Sequence, residues 1–407
     1  MKVLAINSGS STLKFDLFYL DVKKTAMDKD LRLVYGSVDG IGSGGAFRFT
    51  VESGVQIQKT MPFADHNAAT RQALLLLNGR GLLSPKEVDA IGYRVVHGGE
   101  RFIEPTLIDD EVIKAIEDVS SLAPLHNEPA LVTIKAMRAA IDPSIPMVAV
   151  FDTAFHNTMP ERAWRYAIPQ ELADKHHIRR YGFHGLAHRY MSERYAAIAG
   201  KPASSLKLIT LQLGNGCSAA AIDGGKSIDT SMGFTPLEGL VMGTRCGDID
   251  PSLVSFIARQ KKISINQVEE LLNKKSGLLG ISGSTRDMKY LLQAEKEGDA
   301  NAALAIDIFC YHVRKYIGAY LAALGGADAV IFGGGIGENA PSVRARILSG
   351  MDWCGLTLDE KRNAETDTAE GCISADSSAI KAYVIPVDEA SVIAHDTENC
   401  IKRLAGK

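Results

Sequence analysis

A short pattern that occurs twice constrains this chain most. Residues 3–16, VLAINSGSSTLKFD, can be laid without gaps over residues 210–223, TLQLGNGCSAAAID, about half of the 407-residue chain later. Each copy runs from an apolar strand through a polar turn, residues 8–11 against 215–218, into a second apolar stretch ending on Asp16 or Asp223. Turns reuse Gly and Ser, so four matching turn positions alone carry little. Matching strands on both sides, at near-half spacing, point to duplication of one strand-turn-strand hairpin. At roughly 150 residues per domain the length allows two or three domains, and a lone small module is excluded.

Elsewhere strands alternate with helices. Residues 146–151 read as a buried strand. Ile306, Cys310, Val313, Ile317, Tyr320 and Leu324 recur at steps of three or four and predict a helix over 301–324, stopped by Gly325-Gly326. Residues 328–332 then read as a strand running into a glycine loop, GGGIGE at 333–338. This alternation predicts an α/β fold. No charge block or Pro-rich linker separates the halves, so closely apposed lobes with a cleft between them are expected.

Lys and Arg total 45 against 48 Asp and Glu, a net charge of -3, which lacks the basic footprint that nucleic acid or an anionic membrane requires. A small-molecule partner is expected instead. The six cysteines form no C-x-x-C pair, which argues against a disulfide framework or a thiolate zinc site and for a reducing cytoplasm. The N-terminus reaches Asn7, Ser8 and Gly9 too early for a signal-peptide core, and no run of 18 apolar residues occurs. A soluble, unprocessed cytoplasmic protein is expected.

Glycine makes up 38 residues, about 9%, above the usual ~7%. Three glycine-rich turns, at 7–12, 214–218 and 333–337, each follow a predicted strand. Glycine lets backbone N–H groups approach a polyanion, and Ser or Thr hydroxyls add donors. Three such turns point to a nucleotide phosphate chain held between the lobes, although neither a P-loop nor a Rossmann fingerprint is present. Thr12 and Lys14 share one strand face while Leu13 and Phe15 point into the core, so Lys14 is placed to reach phosphate oxygens, or is a solvated strand lysine.

Arg94 and Arg245 sit among glycines and apolar residues, where an arginine serves either an anion in a cleft or a buried ion pair. Asp152, after the 146–151 strand, and Glu389, after a strand at 383–387, are candidate metal carboxylates, with helix capping as the alternative. His184 and His188 have the spacing of zinc ligands on a helix, but the Glu of H-E-x-x-H is absent. His184 reads better as a phosphate or oxyanion donor, with a core histidine as its rival.

On these residues the chain resembles the acetate kinase family, within the actin-like superfamily. The resemblance rests on seven ordered motifs: VLAINSGSSTLKF near the start, RVVHGGE at 94–100, FDTAFHNTMP at 151–160, RRYGFHGLAH at 179–188, LGNGCS at 213–218, TPLEGLVMGTRCGDIDP at 235–251 and FGGGIGEN at 332–339. It implies a two-lobed, duplicated actin-like (ribonuclease H-like) α/β fold. One lobe would hold residues 1–150 completed by 387–407, and the other residues 151–386. The implied activity is reversible transfer of the ATP γ-phosphoryl group to acetate, giving acetyl phosphate and ADP. The cofactor would be Mg2+, with Mn2+ as a substitute, and the assembly a homodimer.

Family roles carried to matching positions put Arg94 and Arg245 on the transferring phosphoryl with His184 beside it, and Asn7, Asp152 and Glu389 around the metal. Ser10, Ser11, Thr12 and Lys14 match the first phosphate loop, and Asn215 and Gly216 the second. Gly333, Gly334, Gly335, Ile336, Gly337, Asn339 and Arg286 line the adenosine side. Val96, Leu125, Phe183 and Pro236 form the acetate methyl pocket, and His126 is a further active-site histidine. Relatives usually carry His where this chain has Tyr93. The same scaffold also hosts propionate or other short-chain acyl kinases and, more remotely, ATPases without an acyl acceptor. Arg94→Ala or Arg245→Ala is expected to cost turnover while the protein still folds.

Overall fold

The computed structural model describes residues 1–9, 11–20, 31–42, 45–51, 56–84, 86–120, 124–367 and 369–406. The chain forms two compact units, Met1–Phe155 with Asp388–Lys407, and His156–Val387. The first unit holds one sheet of β1 (Lys2–Ser8), β2 (Thr12–Tyr19), β3 (Leu31–Asp39), β4 (Ala46–Val51), β5 (Gln56–Thr60), β6 (Ala90–Val95), β7 (Thr106–Leu107) and β8 (Met147–Phe151). Their spatial order is β5-β4-β3-β2-β1-β6-β8-β7. The second unit's sheet takes β9 (Lys207–Leu213), β10 (Cys217–Asp223), β11 (Lys226–Thr230), β12 (Ala329–Gly333), β13 (Gly371–Cys372) and β14 (Lys381–Val384), in the order β11-β10-β9-β12-β14-β13.

The duplication extends well beyond one hairpin. In β3-β2-β1-β6-β8 the first three strands pair antiparallel and the rest parallel. The same pattern recurs in β11-β10-β9-β12-β14. The ungapped match made from sequence, however, is slipped by two residues in the first strand of the hairpin and by three in the second. β1 and β9 begin at Lys2 and Lys207 and share one burial pattern from their first residue on, while by pairing Leu13 of β2 is the counterpart of Cys217 of β10. Side chains alternate with a period of two, so the two-residue slip keeps every apolar residue of the first strand on its face and leaves no trace there, and β10 is apolar on both faces, so the odd slip in the second strand is hidden as well. The turn of the second hairpin is also one residue shorter, since Ser8 pairs with Leu13 but Leu213 with Cys217.

In the first sheet one face carries Leu4, Ile6, Leu13, Phe15, Leu17, Tyr93, Val95 and Phe151, which share a core with Ala73, Leu77, Leu131 and Ile134. The last four lie on helices His66–Gly79 and Pro124–Arg138. The C-terminal helix Glu389–Leu404 packs on β1 and β6 from the other side. A Cβ on Gly92 would lie 2.1 Å from Thr397 Oγ1 and 2.8 Å from Ile393 Cγ2, so this helix sits directly on the β6 backbone.

In the second unit, helices Gly185–Ala199 and Ala300–Leu324 both pack on β9. The long helix starts where Asp299 accepts from the amides of Asn301 (2.8 Å) and Ala302 (3.0 Å), and ends at Gly325 with φ +65°. Two sequence expectations need correction here. The strand expected at 383–387 ends at Val384. The expected loop at 333–338 is a strand end and a short helix, Gly334–Asn339. Gly334, at φ +75°, turns the chain sharply, and its N–H donates to Glu338 Oε1 at 2.8 Å. Glycine's poor helix propensity hides this. Tertiary packing decides it, because a Cβ on Gly334 would meet Leu213 O at 2.7 Å.

Candidate functional site

In the first unit, Asn7, Arg94 and Asp152 come from the carboxyl ends of three neighbouring parallel strands, β1, β6 and β8, the end of a parallel sheet where ligands bind in α/β folds. Alternation puts all three on the face covered by helix Glu389–Leu404, whose first residue joins them. Arg94 Nη1 donates to Asn7 Oδ1 at 3.0 Å, and Asn7 Nδ2 to Glu389 Oε2 at 2.9 Å. Arg94 donates from Nε (3.1 Å) and Nη2 to Asp152 Oδ2, and its Nη1 lies 3.9 Å from Glu389 Oε2. Burial by itself would lower the Arg94 pKa, but the Asp152 and Glu389 carboxylates outweigh it and the guanidinium is held charged. The buried-ion-pair alternative for Arg94 is therefore a fact of the structure, and its partners are the two candidate metal carboxylates. Helix capping does not explain Glu389, because Asp388 caps that helix through the Ser391 amide at 3.1 Å. Asp152 Oδ1 is buried without a hydrogen-bond partner among the described residues.

In the second unit, His184 ends the segment before helix Gly185–Ala199 with φ +56°. A Cβ on Gly216 would lie 3.5 Å from His184 Nε2 and 3.6 Å from Arg245 Nη1, so imidazole and guanidinium converge on the β9–β10 turn. Arg245 Nη1 donates to Pro236 O at 3.1 Å, and burial lowers its pKa. The turn is fixed by Gly243, whose N–H donates to Asn215 O at 3.0 Å and whose missing Cβ would lie 2.4 Å from Asn215 Oδ1. The first helical turn after β12 approaches this turn, with Gly335 N 4.0 Å from the Cβ position of Gly214. Zinc is not the reason for the His184/His188 spacing. His188 is fully buried, with Nδ1 2.7 Å from Thr210 Oγ1 and Nε2 2.7 Å from Ser218 Oγ.

The chain as a whole has counterparts among known proteins. The acetokinase family model matches residues 2–395. The chain belongs to the acetokinase family. It is 47% identical over 415 residues to the acetate kinase of Chloroherpeton thalassium, covering 99% of this chain and 100% of the relative. Among solved structures it is similar to Porphyromonas gingivalis acetate kinase, with a TM-score of 0.89 and 40% identity over 98% of this chain and 100% of the other. It is equally similar in shape to a propionate kinase from Francisella tularensis, with a TM-score of 0.89 and 39% identity over 98% and 99% of the two chains.

The remaining residues suggested by the acetokinase resemblance fall on both units. Thr12 and Lys14 open β2, with Lys14 exposed and Leu13 and Phe15 buried between and beyond them. Ser11 is exposed before them, and Ser10 lies outside the described residues. Val96 is buried immediately after β6. Leu125 and His126 lie on helix Pro124–Arg138, with side chains outside the described set. In the second unit Phe183 is buried and Pro236 half-buried. Gly333, Gly334 and Gly337 are buried, Ile336 is half-buried, and Gly335, Asn339 and Arg286 are exposed. Tyr93, where the resemblance leads one to expect His, points into the helical core on the face opposite Arg94, and its hydroxyl has no hydrogen-bond partner among the described residues.

Sequence reasoning missed two supporting groups. Glu338 ties Gly334 N–H to Val387 N–H (3.1 Å), and Ser218 joins His184 to His188. Glu338 was within a quoted motif, and its spacing of four from Gly334 was the available signal. Nothing local marks Ser218, because its partners are brought in by another element.

Proposed function

We infer that this chain is an acetate kinase, transferring the γ-phosphoryl group of ATP to acetate, reversibly, to give acetyl phosphate and ADP. The observation that carries the reading is 47% identity to an acetate kinase along 99% of the chain. The chemistry of the side chains supports it. With carboxyl reference pKa values of about 4, acetate carries no proton at neutral pH and needs no general base. The enzyme has to align two anions and neutralise charge spread over the equatorial phosphoryl oxygens. In this reading Arg94 and Arg245 hold the transferring phosphoryl in line with the acetate oxygen, and His184 donates to it. Asn215 and Gly216 present backbone and amide donors to the nucleotide phosphates, with Ser10, Ser11, Thr12 and Lys14 supplying hydroxyls and a charge. Gly333–Gly337, Asn339 and Arg286 take the adenosine side. Val96, Leu125, Phe183 and Pro236 exclude water around the acetate methyl, and His126 stands beside them.

The donor set also suits magnesium. Asp152, Glu389 and Asn7 offer hard oxygens, two carboxylates face one guanidinium, and Asp152 Oδ1 is an orphaned buried acceptor. Magnesium is commonly held by one or two carboxylates together with substrate phosphates, and no group of three His, Cys, Asp or Glu among the described residues is arranged to hold a metal ion by itself. When bound, Mg2+ or Mn2+ neutralises charge on the phosphate oxygens during transfer. The family resemblance further supports a cytoplasmic homodimer. Among the described residues no helix is long and apolar enough to cross a membrane.

The test is acyl hydroxamate formation from ATP with hydroxylamine as the trap. Product that requires acetate supports the reading. ATP consumed at one rate with or without acetate, and no trapped acyl phosphate, would overturn it in favour of an ATPase. Because one methylene in an apolar pocket is worth only ~1–3 kcal/mol, the same assay with propionate and butyrate ranks the acyl acceptors.

A further inference from the structure

A line of four side chains in the second unit runs from the interior of the sheet to His184. Thr210 Oγ1 lies 2.7 Å from His188 Nδ1, His188 Nε2 lies 2.7 Å from Ser218 Oγ, and Ser218 Oγ lies 2.8 Å from His184 Nδ1. Thr210, His188 and Ser218 are each 0% exposed. Burial holds the His188 pKa well below the usual imidazole value, reinforced by His156 and His184 nearby, so this ring is neutral. A neutral imidazole carries one N–H, and each hydroxyl carries one O–H. Each of the three links therefore holds one proton, and the whole line runs in one of two senses.

The buried end decides the sense. His188 Nδ1 is the one hydrogen-bond partner of the Thr210 hydroxyl among the described residues. Were His188 to donate from Nδ1, the Thr210 hydrogen would be buried with no acceptor, and a buried donor left unpaired is costlier than an oxygen with a spare lone pair. Thr210 therefore donates to His188 Nδ1, and His188 carries its proton on Nε2 and donates it to Ser218 Oγ. Ser218 then has His184 Nδ1 as its acceptor, which leaves the His184 proton on Nε2. That nitrogen is the one that converges with Arg245 Nη1 on Gly216.

We propose that Thr210, His188 and Ser218 form a one-way hydrogen-bond relay that fixes His184 as the Nε2–H tautomer, a neutral donor beside Arg245 and not a proton acceptor. This rests on the reading of His184 as a group that donates to the transferred phosphoryl. It makes Ser218 a positioning residue, and it matches a reaction whose nucleophile brings no proton.

Imidazole nitrogen NMR on the 15N-histidine-labelled wild-type enzyme, with His184 assigned by its loss in His184→Gln, reads the tautomer directly. Protonated Nε2 with unprotonated Nδ1 is expected, and a proton on Nδ1 overturns the relay without any variant having to fold. In kinetics, Ser218→Ala should lower kcat about tenfold with both KM values within about twofold, less than the ~10²–10³ of losing a donor outright. Ser218→Thr, which keeps the hydroxyl, should recover most of the loss. Unchanged turnover in Ser218→Ala removes the relay. His184→Ala separates the two levels. If it turns over normally, the reading of His184 falls and the relay with it. If it loses turnover while Ser218→Ala does not, only the relay falls.

Discussion

The two arginines differ in how they are held, and their variants should differ accordingly. Arg94 is the ion partner of Asp152, a carboxylate with no exposure. Removing one member of a buried pair costs about 3–5 kcal/mol, so Arg94→Ala should lower thermal stability as well as turnover. This revises the expectation that only turnover suffers. Arg94→Ala combined with Asp152→Asn should regain stability without regaining activity, and a double variant as unstable as the single one would refute the pairing account. Arg245 bonds to the Pro236 carbonyl and Met242 sulfur, and Arg245→Ala should reduce kcat by ~10³–10⁵, the range for an arginine aimed at a phosphoryl transition state. Near-normal turnover would remove it from the mechanism. At Tyr93 the hydroxyl is buried and unpaired, so Tyr93→Phe should leave kcat unchanged and raise the unfolding free energy by about 1 kcal/mol, measurable by urea titration.

Among elements, the contact between helix Glu389–Leu404 and β6 matters most, because the helix brings Glu389 to the strand ends that carry Asn7 and Arg94. Gly92 permits that contact. Gly92→Ala inserts a methyl where Thr397 and Ile393 already stand, and overpacking of this kind costs about 1–3 kcal/mol. Displacing the helix should raise the Mg2+ concentration giving half-maximal activity together with the loss of Tm. A lower Tm at unchanged magnesium dependence would detach Glu389 from the metal. Element types were legible where periodicity was strong, as in helix Ala300–Leu324 with its glycine stop. They were illegible at Gly334–Asn339, where a short helix is imposed by contact with Leu213 and Glu338 on a sequence whose glycines argue for a loop.

Across the whole molecule, the same five-strand plan serves twice with different residues at the same places. Asn7 of β1 pairs with Arg94 of β6, while in β9 and β12 the corresponding pair is Gln212 and Gly333. One copy ends its strands in charged groups, and the other ends them in glycine turns. The first unit is also closed by contacts between distant parts of the chain, including a partly exposed ion cluster on β2, β3 and the C-terminal helix cap in which only Asp16 is buried. Burial pushes Asp16 up to about 7 from 3.8, with Arg32 opposing, Asp388 adding and Lys14 opposing. Arg32 Nε lies 3.1 Å from Asp16 Oδ1, and its Nη2 donates to both Asp388 oxygens. Because the folded pKa lies above the unfolded one, the native state holds the extra proton between about pH 4 and about pH 7. Stability from this group is complete below that window and is lost as pH rises through it. Between about pH 5 and about pH 8 the wild type should lose more unfolding free energy than Asp16→Asn, and equal losses would show that Asp16 does not titrate this way.

The sequence by itself determined the α/β alternation, the existence of an internal duplication and, through seven ordered motifs, the family. These are local or additive properties, carried by periodicity, glycine placement and residue identity in order. Only the tertiary structure decided the register of the duplication, because a two-residue slip in the first strand is invisible to a two-residue period and the second strand of the later copy is apolar on both faces. It also decided that Arg94 shares Asp152 and Glu389, that Tyr93 turns away from that cluster, and that Ser218 stands between two histidines. Each of these depends on which strand lies beside which, and hydrogen-bond partners far apart along the chain leave no mark on its local pattern.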